Sequence, residues 1–228
     1  MKIALIGATG FVGTAVLEEL IARGHTVTAL ARSPGSLPPR AALSTRVLDA
    51  YDADAVASAV HGHDAVVSAF NPGWSTPDLY ALFMKGSSAI VRGVELAGVK
   101  RLLVVGGAGS LFVAPGVQLV DTPEFAQHVP PNIIPGAKAA RDALSALRTN
   151  LTLDWTFLSP AALLAPGERS GTYRLGGEEL LMAGDSPAGV SVADLAVSIV
   201  DELERPRHVR ARFTVASADG SSQATGTA

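Results

Sequence analysis

Residues 2–13 read KIALIGATGFVG, and the fold turns on how that stretch is parsed. KIALIG (2–7) is a short β-rich run. Beyond it the apolar positions take helical spacing: Val12, Val16 and Leu20 recur every four residues, as do Leu17 and Ile21. Gly7, Gly10 and Gly13 mark the junction. A strand that turns on glycines straight into a helix offers free backbone N–H groups and the positive end of the helix dipole, which suits a dinucleotide pyrophosphate. The first glycine permits the tight bend, the second lets the backbone approach the phosphates, and the third lets helix pack closely on strand. Thr9, Phe11 and Val12 complete the stretch and join the glycines as cofactor-binding candidates. The alternative is a plain βα turn with incidental glycines, but a second β-rich run, TVTALAR (26–32), follows at the usual distance.

The same alternation continues. TRVLDA (45–50), DAVVSAF (64–70), RLLVVGG (101–107) and LDWTFLSP (153–160) are near-continuous apolar runs, as expected of parallel strands covered on both faces. Helices are predicted over 52–61, over 76–98 with Thr76 as cap and Pro77 at the first helical position, and over 136–149. Repeated βα units predict an α/β fold, a Rossmann-type doubly wound parallel sheet with helices on both faces. After Pro160 the rhythm changes. APGERSGTYRLGGEELLMAG is rich in turns, Ser191 and Asp194 resemble a capping box opening the helix VADLAVSIVDELE, and ARFTVAS (211–217) reads as a last strand. This part is expected to be a small irregular and helical C-terminal extension. Residues 1–217 read as a single NAD(P)-binding domain, and 218–228, which include DGSSQATGTA, as a disordered tail.

Composition narrows the function. Of the 228 residues 48% are hydrophobic and 17% charged, enough apolar material for a large core. A formal net charge of −3 and the lack of any Lys/Arg run argue against a nucleic-acid partner. With no cysteine, disulfides, thiol nucleophiles and Cys-ligated zinc are excluded; His61 and His63 in HGHD read as turn punctuation, so no metal site is expected. No apolar stretch approaches the roughly 20 residues of a membrane span, and the N-terminal apolar run breaks at Gly7 without a cleavage pattern. A cytoplasmic protein with no membrane partner is expected. Its long helices offer a surface on which subunits can pair.

The end of the second strand should select the cofactor. An acid there would bind a free ribose 2′-hydroxyl, whereas this chain has Arg32 and Ser33, which suit a 2′-phosphate. NADP(H) is therefore expected over NAD(H). Asp49, ending the third run, either reaches the adenine or caps the next turn. Ser68, Ala69 and Phe70 after the fourth run, and Gly106 and Gly107 after the fifth, fall on the carboxyl edge of the sheet, where ligands of open α/β sheets bind.

With these residues in place, the chain resembles the atypical short-chain dehydrogenase/reductases. GATGFVG is similar to that group's glycine motif. VVGGAGSLFVAPG, DWTFLSPAALLAPGERSGTYRLG and VDELERPRHVRARFTVA look like its NAD(P)H-binding, NADH–flavin-reductase-like branch, which has biliverdin reductase B-like relatives. The resemblance spans roughly residues 1–217 and implies a reductase. Classical members of the wider superfamily carry a tyrosine four residues before a lysine. Here Lys138 has Ile134 in that place, while Tyr51, Tyr80 and Tyr173 are followed at that distance by Ala55, Met84 and Gly177.

A positioned acid is worth about 100- to 10,000-fold in reducing an isolated carbonyl. A flavin or similar flat conjugated acceptor delocalises the incoming electron pair and can take its proton from water. The sequence thus points to hydride transfer from NADPH to such a small-molecule acceptor. Ser110 is the polar candidate near the nicotinamide, or else a simple turn serine; Lys138 is either the family lysine or a solvated one. Asn71, Trp74, Phe112 and His128 lie on loops that would line an acceptor pocket. A non-catalytic NADP(H) sensor and a biosynthetic reductase or epimerase are the rival readings.

Overall fold

The computed structural model describes residues 1–218, so most of the expected tail lies outside the described residues. Eight strands form the main sheet: β1 (Lys2–Ile6), β2 (Thr26–Ala31), β3 (Leu43–Val47), β4 (Ala65–Ser68), β5 (Arg101–Val105), β6 (Asp154–Pro160), β7 (Tyr173–Gly176) and β8 (Ala211–Ser217). Their spatial order is β7-β8-β6-β5-β4-β1-β2-β3, and every pairing is parallel except that of β7 with β8. The chain order therefore reverses between β1 and β4, and a crevice opens at such a switch point, outside the carboxyl ends of the strands.

The helices are α1 (Phe11–Ala22), α2 (Ala53–Val60), α3 (Leu79–Leu96), α4 (Pro123–His128), α5 (Ile134–Leu147) and α6 (Val192–Glu204). Alternate side chains of β1 enter two cores. Ile3 and Leu5 pack with Val16 and Leu20 of α1 and Leu195 and Ile199 of α6. Ala4 and Ile6 pack with α2, α3 and α5 through Val56, Ile90 and Leu144. Burial on both faces explains why the central strands read as unbroken apolar runs. No helix among the described residues is long and apolar enough to cross a membrane.

Some boundaries differ from expectation, each for a physical reason. β3 is an edge strand whose residues 44–47 are exposed, so it lacks the apolar run of its neighbours; Leu48 and Ala50, read as strand, turn into the core just beyond it. α3 begins at Leu79 because Asp78 adopts φ 54°, a left-handed conformation that breaks a helix. Thr76 caps nothing there: its hydroxyl donates to the Pro72 carbonyl at 3.1 Å. α5 begins two residues early, with Pro135 in its first turn.

The C-terminal segment is built into the sheet rather than hung from it. β8 pairs with β6, and α6 shares a core with α1. Ser191 caps α6 by accepting from Asp194 N at 3.0 Å. The capping box is one-sided, because the Asp194 carboxylate instead accepts from Ser170 Oγ at 2.7 Å and Gly171 N at 2.8 Å, fixing the loop before β7.

Candidate functional site

The turn from β1 into α1 is held by its own backbone. Gly7, at φ 80°, donates its N–H to the Leu30 carbonyl of β2 at 2.9 Å. A methyl at Gly7 would lie 2.4 Å from the Ala69 carbonyl oxygen, and one at Gly13 would lie 2.0 Å from the Gly7 oxygen. Both glycines are therefore needed by close approach of main chain to main chain. Gly10 occupies the cap position of α1, with no side-chain cap and no acid in the first turn. The N–H groups of Phe11, Val12 and Gly13 are thus without intrahelical partners and available to an anion.

A cleft of about 290 Å³ opens beside this turn. Its walls come from four strand ends: Gly7, Thr9 and Gly10; Ala31 and Arg32; Leu48 to Tyr51; and Ala69 to Pro72. Seven of the fourteen predicted cofactor-binding residues meet here: Gly7, Thr9, Gly10, Arg32, Asp49, Ala69 and Phe70. Arg32 is exposed, and among the described residues no carboxylate pairs with it. Ser33 is exposed beside it, without lining the cleft. Asp49 lines the cleft, and its carboxylate accepts from Tyr51 N at 2.9 Å in the turn before α2.

Phe70 is set rigidly. Its ring lies where a methyl on Gly86 of α3 would approach within 2.3 Å, and Tyr51 meets it edge-on at 5.8 Å. Leu48, Ala50, Tyr51 and Pro72 line the cleft without having been predicted. The signal for the first three was the end of β3, which places the residues just after it at the carboxyl edge.

The remaining candidates scatter. Ser68 is buried at the end of β4 and lines a small internal cavity with Phe83, apart from the cleft. Gly106 makes room for the protein itself, since a methyl there would lie 2.0 Å from Phe157 Cζ. Gly107 follows on the same turn, outside the cleft lining. Ser110 faces away from solvent: it is 1% exposed, and its hydroxyl accepts from Arg212 Nη1 at 3.1 Å and lies 3.4 Å from Ser159 Oγ. Burial pulls the Arg212 guanidinium below its usual range, against hydrogen bonding and attraction from Glu178. Lys138 is exposed on α5, one turn after the half-buried Ile134.

The loop candidates divide likewise. Asn71 lines the cleft, and Trp74 stands 48% exposed two residues beyond Pro72. Phe112 instead faces an apolar groove of about 820 Å³ between residues 112–119 and 178–187. His128 is exposed, with Nδ1 2.8 Å from the Glu124 carbonyl oxygen. Tyr80 donates to Asp142 at 2.7 Å, which raises its pKa. Tyr173 donates to Asp201, and burial together with that bond raises its pKa as well. Among the described residues no group of His, Asp or Glu is placed to hold a metal ion.

A dinucleotide fits what is present: a glycine cradle that a Cβ would fill, a bare helix N-terminus and, at the end of β2, an arginine with no carboxylate partner among the described residues. Comparison with known proteins agrees. Residues 7–206 match the NAD(P)H-binding family. The uncharacterized protein YwnB of Bacillus subtilis is 38% identical over 220 residues, 95% of this chain and 99% of that protein. Among solved structures, a candidate epimerase from Bacteroides thetaiotaomicron superposes with a TM-score of 0.87 at 43% identity, over 95% of this chain and 96% of the other. A candidate NADH-flavin reductase from Streptococcus pneumoniae superposes with a TM-score of 0.80 at 38% identity, over 95% and 99%.

Proposed function

Because the chain belongs to the NAD(P)H-binding family, in an atypical short-chain dehydrogenase/reductase branch, we propose that it is an NADPH-dependent reductase of a free flavin or similarly flat conjugated acceptor. The observation that carries this reading is Ile134. With Lys138 read as the family lysine, an apolar side chain stands one turn before it, where classical carbonyl reductases of this superfamily place a phenol. The tyrosines do not replace it: Tyr80 and Tyr173 are committed to Asp142 and Asp201, and Tyr51 walls the cleft beside Asp49.

An isolated carbonyl would concentrate charge on one oxygen with no acid to meet it, at a loss of about 100-fold or more. A flavin spreads the electron pair over its rings and draws its proton from water. The bound dinucleotide supplies the hydride. The chain's own part is positional. The bare N-terminus of α1 would hold the pyrophosphate, and Arg32 would supply a charged partner for the 2′-phosphate. The flavin-reductase description of the Streptococcus relative supports the acceptor class. The arginine at the end of β2, with no acid beside it, supports NADPH.

The test is oxidation of NADPH by purified protein with FMN or riboflavin, with NADH in parallel. Saturable turnover that prefers NADPH is expected. Tight NADPH binding without turnover of any flavin would defeat the reductase reading and favour a non-catalytic dinucleotide sensor.

A further inference from the structure

Resting on the reading of the acceptor as a flat conjugated molecule, we propose that Trp74 is the surface on which that acceptor stacks, held in place by Gly136. Trp74 lies on the loop from β4 to α3, which leaves the carboxyl end of one of the two strands between which the strand order reverses. The near end of this loop, Asn71 and Pro72, already lines the dinucleotide cleft. Trp74 thus stands two residues along the chain from the cofactor wall.

The loop is tied down. Asn71 Oδ1 accepts from Gly73 N at 2.7 Å, and Thr76 N donates to the Gly73 carbonyl at 3.1 Å. From the far side Asn132 Nδ2 donates to the Trp74 carbonyl at 3.2 Å. The ring itself is seated on the first turn of α5: a methyl at Gly136 would lie 2.9 Å from Trp74 Cζ3 and 3.0 Å from Leu79 Cδ2. Glycine is thus the residue that lets the indole rest against that helix. Ile134 stands two residues before it in the same turn.

Phe70 shows what is unusual here. It too is seated on a helix glycine, Gly86, but Tyr51 at 5.8 Å and Phe83 at 6.0 Å enclose it further. Its contacts are completed by the protein. Trp74 has the same kind of seat and still leaves 48% of its surface in water. A large aromatic fixed through its main chain and presented to solvent is pre-organised for stacking, since little side-chain freedom remains to be lost on binding. Its complement is a planar conjugated ring rather than a small tetrahedral or aliphatic substrate.

The experiment compares wild type with Trp74→Ala, Trp74→Phe and Gly136→Ala, measuring steady-state kinetics with riboflavin, riboflavin binding by equilibrium dialysis in the presence of NADP⁺, and the NADPH Kd. Trp74→Ala is expected to raise the riboflavin KM and Kd about ten-fold or more, as when an aromatic is removed from beneath a stacked base, with the NADPH Kd unchanged. Trp74→Phe should recover most of that loss. Gly136→Ala, which drives the ring off its seat, should shift riboflavin in the same direction as Trp74→Ala. If wild type reduces riboflavin and Trp74→Ala keeps its KM and Kd, the stacking role is wrong and the reductase reading stands. If wild type binds riboflavin through Trp74 without turnover, the reductase reading fails and the stacking site survives. No riboflavin binding by wild type overturns the stacking site.

Discussion

Two glycine-rich turns leave the carboxyl edge of the sheet, GATGFVG after β1 and GGAGS after β5, and they are built for opposite purposes. In the first, glycine brings main chain against main chain: a methyl at Gly13 would sit 2.0 Å from the Gly7 oxygen. What results is a helix end with unspent N–H groups facing a cleft. In the second, glycine admits the protein's own side chains. Phe157 fills the space at Gly106, and Val120 lies 3.2 Å from where a methyl on Gly109 would be. The serine that ends this turn then points into the interior, to Arg212. A glycine signals a close approach, and the rest of the fold decides whether ligand or core makes it.

The largest effect expected from this contrast is at Gly13. Gly13→Ala places a methyl against backbone that no rotamer change can move, so α1 must shift relative to the turn. A stability loss of about 3 kcal/mol is expected from such overpacking. NADPH affinity should fall by about 100-fold or more as aligned N–H donors are lost from the phosphates. Urea unfolding and NADPH titration measure the two separately. If stability falls and NADPH affinity holds, the helix N-terminus is not the phosphate site, and the two turns are more alike than argued.

Arg32 comes next, because it tests the first turn's ligand rather than its frame. It is exposed and has no carboxylate partner among the described residues, so its removal should leave stability unchanged. A charge-assisted hydrogen bond to phosphate corresponds to about 10- to 100-fold in affinity. Arg32→Ala should weaken NADPH by that factor and leave NADH nearly untouched, as read from Kd values for both. Equal losses for both cofactors would remove Arg32 from the 2′-phosphate.

How far the sequence discloses these features follows from how local their causes are. The glycines that shape the β1–α1 turn lie within seven positions of one another, although Leu30 and Ala69 also hold it, and the sequence reading places the strand, turn and helix correctly. The start of α3 is also local but deceptive: Thr76 and Pro77 mimic a helix entrance, while the left-handed Asp78 moves the true start to Leu79. β3 lacks an apolar run because its edge position leaves residues 44–47 exposed, and with its end misjudged Tyr51 drops out of the predicted cleft. The seat of Trp74 on Gly136 joins positions far apart in sequence that no periodicity links. Nothing in GGAGS announces that an arginine 102 residues later will bond to Ser110.

Ser110 gives the smallest and most discriminating effect. If it acted on the substrate, Ser110→Ala would lower kcat by about 100-fold, the lower end for a group that moves a proton in the transition state. The structure assigns it other work. Its hydroxyl accepts from Arg212, whose guanidinium is buried and whose Nε has no partner among the described residues. Arg212 in turn grips the backbone and carboxylate of Glu178, tying residues after β7 to β8. Removing the hydroxyl leaves a second guanidinium nitrogen short of an acceptor. A buried hydrogen bond to a charged group contributes about 1.5–3 kcal/mol. Ser110→Ala should therefore lower the stability measured by urea unfolding by about that amount, while kcat/KM for flavin and the NADPH Kd remain at wild-type values. A large kinetic loss at unchanged stability would reverse the comparison, placing chemistry on the second turn after all.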